Sequence, residues 1–172
     1  MPLFWSVFFS YMIKTSDLNE LLENALEELK RADHLVFVSL KYTRTVDVIR
    51  SVIERLISTL DCITILLLED AKRKGMIKDY PITPALRIDL SMKLFSYEPQ
   101  ILLSLNIFTL LRKLNKAEYT KMEEYRRHVR MIVTLDDGDT LEIKIDTVTE
   151  YYEKILDFMK FVRSRIFEKK DE

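Results

Sequence analysis

The residues best suited to bind an anion are clustered in segment 125–130. They are Tyr125, Arg126, Arg127, His128 and Arg130, with Val129 between the last two. Arginine guanidinium groups pair with phosphate oxygens, tyrosine rings stack on nucleic-acid bases, and a histidine can transfer protons near neutral pH. If strand alternation extends this far, Arg126, His128 and Arg130 share one face. Arg127 then lies on the other face.

Two interpretations of this segment stay open. In the first, the cations contact a phosphate backbone and Tyr125 stacks on a base. In the second, the segment is an exposed basic strand edge that discourages aggregation and pairs with Glu123, Glu124 or Glu142. No complete nucleophile triad, phosphate loop or metal-ligand set accompanies either interpretation.

A second polar segment, residues 41–47, joins two predicted helices. Ion pairs between Arg44 and Asp47, or between Asp33 and Lys41, would close this end of a helical hairpin. Alternatively, Arg44 contacts an anion or a partner, since arginine forks and helix N-termini both suit phosphate. The predicted ligand-binding or nucleic-acid-binding residues are therefore Arg44, Tyr125, Arg126, Arg127, His128 and Arg130.

The remaining reactive residue types favour structural roles. His34 and His128 lie far apart, and neither has a second histidine or cysteine at ligand spacing. The single cysteine, Cys62, lies in the apolar run 62–68, so it is expected to pack among hydrophobic side chains rather than act as a nucleophile. The acidic segment 136–139 suits a hairpin turn and lacks a calcium-loop pattern. We predict no metal and no cofactor, and a noncatalytic protein is favoured over an enzyme.

The composition describes one domain that carries little net charge. The chain has 172 residues, of which 48% are hydrophobic and 32% are charged. Its 27 Lys and Arg against 28 Asp and Glu give a formal net charge of -1, so any attraction to nucleic acid must be local. A lone cysteine fits the reducing cytoplasm. The two glycines and many charged residues favour a thermophilic prokaryote.

The N-terminal segment 1–14 is apolar but shorter than the ~20 residues that span a bilayer. It also lacks the cationic start and cleavage site of a signal peptide. Three interpretations stay open: translation starts at Met12, the segment packs on the protein, or it lies on a membrane surface. Residues 15–172 are predicted to form a single domain, with no transmembrane segment.

Apolar residues at helical spacing predict a mainly α fold, an antiparallel bundle of four to six helices. The first expected helix spans about 17–41, and the second runs from its cap Thr45 to its stop at Gly75. Thr83 caps a shorter helix of about 84–95, and Pro99 starts the next. A charged helical piece is expected over 118–127. From Ile101 to Leu114 the chain is apolar on nearly every side of the helix. This pattern suits a central helix or one shared with a partner, and we expect a homodimer through this region.

The hydrophobic period changes to two after residue 128. Alternating residues on both sides of turn 136–139 predict a β-hairpin at about 128–145, inserted before the C-terminal helix. Because an isolated hairpin is marginally stable, its apolar face is expected to lie on the helices. Asp146 or Thr147 is expected to cap the final helix.

The order of elements, especially segment 33–40 followed by 41–49, resembles that of uncharacterised archaeal relatives of the HEPN helical superfamily. The resemblance covers about residues 16–168 and implies a bundle of four or five helices that is commonly dimeric. Some members cleave RNA with an arginine placed four to six intervening residues before a histidine, and others bind nucleotides or partner nucleotidyltransferases.

This chain lacks that arginine. The positions at the required spacing before His128 are Lys121, Met122 and Glu123, and those before His34 are Glu27, Glu28 and Leu29. Lysine cannot reproduce the planar guanidinium fork, so the resemblance implies the bundle and the dimer but not nuclease activity. We therefore expect a noncatalytic interaction or ligand-binding protein. The alternative is an RNA-binding or RNA-cleaving protein that uses the basic strand edge around His128.

Overall fold

The computed structural model describes residues 17–168, which form a mainly helical fold with one small sheet before the C-terminal helix. The predicted fold class is confirmed. The elements are α1 Leu18–His34, continued by a π-helical turn Leu35–Ser39 and an α-helical turn Leu40–Tyr42; α2 Val46–Arg73; α3 Pro84–Leu94; α4 Pro99–Lys116; β1 Glu118–Met122; β2 Arg130–Thr134; β3 Thr140–Lys144; and α5 Ile145–Phe167. The N-terminal segment lies outside the described residues. No helix within the described range is long and apolar enough to cross a bilayer.

Helix α1 and its continuation match the predicted span. The Asp17 carboxylate accepts a 2.8 Å hydrogen bond from the Glu20 backbone N–H and so caps the first turn. Near the other end the hydrogen bonds widen, and the Leu40 N–H reaches back to the Leu35 carbonyl. Such π-helical turns are rare and occur frequently at functional sites. The apolar spacing of the sequence does not reveal this one.

Helix α2 is the central element of the bundle and contacts all four other helices. Thr45 is its N-cap, as predicted, and its hydroxyl accepts a 3.3 Å hydrogen bond from the Val48 N–H. The helix ends before Gly75, whose φ of +77° is one that few side-chain-bearing residues adopt. Its residues 65–68 are fully buried. The sequence pattern suits α4 to a central position in the bundle, but α2 occupies that position.

Three helix starts differ in how they are capped. Thr83 occupies the N-cap position of α3, but its side chain makes no capping hydrogen bond. Pro99 is the first residue of α4, as expected. The final helix begins at Ile145, directly after β3, so Asp146 and Thr147 lie in its first turn and are not its N-cap. Thr147 still accepts a 3.1 Å hydrogen bond from the Lys144 N–H.

The prediction of a helical piece over 118–127 is wrong. Glu118–Met122 is a strand that pairs antiparallel with β2, and the sheet order is β1-β2-β3. The guanidinium of Arg50 on α2 lies 4.4 Å from the centre of the Tyr119 ring and helps hold this strand on the bundle. The charged composition of segment 118–127 is typical of an exposed helix. Residues 118–122 form a strand because β2 supplies partners for their backbone hydrogen bonds.

The predicted hairpin at 128–145 is confirmed as β2 and β3, although it belongs to a three-stranded sheet. Its turn contains Gly138 at φ +86°, and Asp137 accepts a 2.9 Å hydrogen bond from the Asp139 N–H. Met131, Val133 and Ile143 are buried against the helices, which is the expected apolar face. The opposite face of β2 carries Arg130.

Candidate ligand-binding surface

Two segments that are distant in sequence meet at the N-terminus of α2. The backbone N–H of Tyr125 donates a 2.7 Å hydrogen bond to the carbonyl of Arg44. The carboxylate of Glu124 accepts a 3.1 Å hydrogen bond from the N–H of Val46, 78 residues away. The turn that follows β1 is thereby docked on the start of a long helix. The candidate residue Arg44 is brought beside the candidate residues that begin at Tyr125.

The docked turn contains two backbone conformations that L-residues rarely adopt. Glu123 has a φ of +52° and Tyr125 a φ of +64°, and neither is a glycine. Each such residue costs about 1–2 kcal/mol. Between them, the Glu124 carboxylate turns inward to the positive end of the α2 dipole, which offsets part of this cost. Tyr125 faces outward and is 78% exposed.

The cations of segment 126–130 differ in whether a carboxylate neutralises them. Arg130 forms ion pairs with Glu123 and, at 2.6 Å, with Glu142. Arg126 and Arg127 are exposed, and no carboxylate of the described residues pairs with either of them. Arg130 is therefore a structural residue of the sheet, whereas the two preceding arginines are available to a ligand.

The predicted strand geometry around His128 is wrong in two respects. Strand β2 begins at Arg130, so residues 126–128 lie in a turn and do not alternate between faces. Strand β2 is also the middle strand of the sheet, because β1 covers its other side, so the segment is not a strand edge. The expected pairing with glutamates is found for Arg130. His128 is exposed.

The ion pairs predicted at the start of α2 do not form. Asp47 pairs at 3.0 Å with Lys121, and Asp33 accepts a 2.6 Å hydrogen bond from the Tyr152 hydroxyl. Within the described part of the chain, Arg44 has no ion-pair partner. Lys41 lies 6.0 Å from the centre of the Tyr42 ring. The carboxylates nearest in sequence to Arg44 are thus engaged elsewhere.

Tyr42 is a surface residue that the sequence reasoning did not single out as a binding residue. It ends the continuation of α1, two residues before Arg44, and is 79% exposed. Its position between Lys41 and Arg44 is the signal that could have identified it, since interleaved aromatic and basic residues suit nucleic-acid phosphates and bases. We define the arginine–tyrosine surface as Tyr42, Arg44, Tyr125, Arg126, Arg127 and His128.

The π-helical turn lies immediately before this surface in the chain. It leaves Phe37 50% and Val38 40% exposed, and the Phe37 ring packs edge-to-face on Tyr152 at 5.5 Å. Burial, followed by the hydrogen bond to Asp33, raises the pKa of the Tyr152 hydroxyl, which keeps it protonated. This contact joins α5 to the end of α1 and fixes the helix from which Tyr42 projects.

The described residues contain no arrangement typical of catalysis. Among residues 17–168, no side chain hydrogen-bonds the His128 imidazole in the way that orients a catalytic base. Burial raises the pKa of the Cys62 thiol to about 12, so it stays protonated and is a poor nucleophile. No three metal-ligating side chains come together between residues 17 and 168. His34 is exposed.

Comparison with known proteins provides no identification. No protein-family model matches the chain, and neither does any curated protein or solved structure.

Proposed function

We propose that this protein is a noncatalytic binding protein whose arginine–tyrosine surface takes an anionic ligand. The observation that carries the proposal is that Arg44, Arg126 and Arg127 have no carboxylate partner among the described residues, although acidic residues are their neighbours in sequence. The hydrogen bond between Tyr125 and Arg44 holds the two arginine-bearing segments together. Guanidinium groups suit phosphate, and the two backbone segments that carry these arginines are already held together, so no loop has to be ordered to bring them near one another on binding.

The acidic residues around the surface support this proposal. Glu124 is committed to the N-terminus of α2, Glu123 to Arg130, and Asp47 to Lys121. Each of these contacts removes a carboxylate that could neutralise a free arginine. The surface is therefore locally cationic, although the whole chain has a formal net charge of only -1.

The second candidate function is binding of single-stranded RNA. It is favoured by two exposed tyrosines near Arg44. Tyr42, two residues before Arg44, is 79% exposed, and Tyr125, which is hydrogen-bonded to Arg44, is 78% exposed. An exposed aromatic ring beside a cation can stack on any base, whereas a small anion needs no ring. RNA cleavage by His128 is not part of this proposal, since no arginine stands at the motif spacing and no side chain of the described residues orients the imidazole.

The proposal extends to the family and assembly expected from the sequence. We propose a divergent, nuclease-lacking member of the HEPN-like superfamily, from a thermophilic archaeon and acting in the cytoplasm. The long α1–α2 hairpin and the Thr45 cap support membership of the superfamily. The lone cysteine supports the cytoplasm. We also propose a homodimer through the region Ile101–Leu114.

Fluorescence anisotropy with a labelled RNA of about 12 nucleotides tests the surface, with ATP and inorganic phosphate as smaller probes. Arg126→Ala/Arg127→Ala should weaken RNA binding by more than about tenfold and lower the salt slope by roughly 1.4, since each lost single-strand phosphate contact contributes about 0.7. The control Lys160→Ala/Arg163→Ala removes the same charge from exposed residues of α5 and should bind as the wild type.

The probes separate the two candidates. The RNA candidate is wrong if ATP binds while the affinity for RNA is no higher than that for inorganic phosphate. In that case the protein binds a small anion. If no probe binds at low salt, or both double variants lose binding equally, the arginine–tyrosine surface is not a binding site.

A further inference from the structure

A groove of about 440 Å³ lies between α4 and α5, and side chains of both helices line it. Its apolar wall is made by Leu103, Ile107 and Leu110 of α4. Leu103 is 65% exposed, so a large apolar side chain projects from the bundle without cover from the rest of the described chain. The other wall carries the charged residues Lys154 and Asp157 of α5. Leu103 and the two partly buried side chains beside it form one continuous apolar wall, which offers a partner a surface to cover.

The two helices that form the groove run in opposite directions. Arg165, near the end of α5, makes a bidentate ion pair with Glu98, the residue before α4, at 2.8 and 2.7 Å. The start of α4 therefore lies beside the end of α5. A line drawn across the groove at Asn106 of α4 consequently meets α5 near Asp157.

We propose that the groove is covered by the same groove of a second copy of this chain, related by a two-fold axis that crosses it. Lys154 and Asp157 have opposite charges and lie about one turn apart on one face of α5. A two-fold axis passing between them places each Lys154 opposite the partner subunit's Asp157, and the pair forms twice. The same axis passes near Asn106, so Leu103 meets the partner subunit's Leu110 or Ile107.

The charge pattern decides between a second copy and another partner. The groove carries one cation and one anion, so a strongly acidic or basic partner would satisfy one of them and repel the other. A second copy satisfies both. Lys154 pairs with Glu150 at 3.0 Å, and both side chains are more than half exposed, so little is lost when Lys154 changes partner. Asp157 has no ion-pair partner within the described part of the chain.

This inference rests on the proposed homodimer and names its face; it is independent of anion binding. Sedimentation velocity of the full chain over a concentration series gives the dimer dissociation constant. Lys154→Asp and Asp157→Lys each place like charges opposite one another twice, and each should raise this constant by more than about tenfold. The double exchange Lys154→Asp/Asp157→Lys restores opposite charges and should return the constant to within about threefold of wild type.

A matched pair of substitutions tests the apolar wall. Leu103→Asp should give a monomer, whereas Leu86→Asp on α3, at a residue that is 53% exposed, should leave the dimer intact. Circular dichroism establishes that each variant is folded. A monomeric wild type would overturn both this face and the proposed homodimer. A dimer that tolerates Leu103→Asp, or single exchanges that the double exchange fails to rescue, would overturn this face and leave the homodimer standing.

Discussion

The backbone N–H of Tyr125 and the carbonyl oxygen of Arg44 are joined by a 2.7 Å hydrogen bond. This contact places the turn between β1 and β2 against the N-terminus of α2. Because Tyr125 is in the left-handed region at φ +64°, the bond forms at a cost in backbone strain. The turn therefore combines backbone strain with a tyrosine ring that is 78% exposed.

Two substitutions of Tyr125 distinguish the effect of its backbone strain on stability from the effect of its ring on RNA binding. Tyr125→Gly should raise the free energy of unfolding by about 0.5–1 kcal/mol, because glycine adopts positive φ without a Cβ clash. Tyr125→Ala keeps the strain and should give no gain. Both variants should bind RNA more weakly than wild type if the ring stacks on a base. Urea denaturation with the anisotropy assay distinguishes the two effects, and a destabilised Tyr125→Gly protein would contradict the strain argument.

Glu124 should be important for stability although it lies in a surface turn. Its carboxylate accepts a hydrogen bond from the N–H of Val46 at the positive end of the α2 dipole. Glu124→Ala should therefore lower the free energy of unfolding by about 1 kcal/mol, and Glu124→Gln by less, because the amide oxygen still accepts the bond. The exposed Glu153 on α5 provides the control, and Glu153→Ala should change little.

Two threonines at N-cap positions should respond differently to the same substitution. Thr45→Ala removes the hydroxyl that accepts from the Val48 N–H and should cost ~1 kcal/mol. Thr83→Ala removes a side chain that makes no capping hydrogen bond, so the cost should be only a few tenths of a kcal/mol. Equal shifts of the denaturation midpoint would show that the Thr83 hydroxyl caps α3 in solution.

The ion pair between Arg87 and Asp61 is expected to hold α3 on α2. Arg87 is 3% exposed and donates a 2.7 Å hydrogen bond to Asp61 and another to the Ile82 carbonyl. Asp61→Ala leaves a buried guanidinium without its counter-ion and should cost about 3 kcal/mol. Arg87→Met removes that charge and should cost less. The reverse order of stabilities would mean that Arg87 reaches solvent when its partner is removed.

Alkaline pH should destabilise the protein in part through Cys62. Burial raises the pKa of its thiol from 9.0 to about 12, so the unfolded chain loses this proton first as the pH rises. Stability from this group is fully present below pH 9 and is lost as the pH rises from about 9 to about 12, at no more than about 1.4 kcal/mol per pH unit. Cys62→Ala should make that decline shallower. Identical slopes for both proteins would contradict the argument.

The sequence by itself determined most of the helical architecture. Apolar residues at spacings of three and four, the Thr45 cap and the stop before Gly75 are local signals, because a helix satisfies its hydrogen bonds within one segment. The hairpin was equally visible, since its alternation and its Asp-Gly turn are local too. The same reasoning predicted six binding residues: Arg44, Tyr125, Arg126, Arg127, His128 and Arg130.

Only the tertiary structure decided what is exposed and what is paired. Glu118–Met122 becomes a strand because β2 offers it partners, and that pairing converts the expected strand edge into a central strand. Arg130 is neutralised by Glu123 and Glu142, whereas Arg126 has no carboxylate partner among residues 17–168, although both are equal candidates in sequence. Ion pairs and exposure depend on contacts between distant segments, as with Tyr125 and Arg44. Local patterns contain no record of such contacts, because long-range packing selects them after each element has formed.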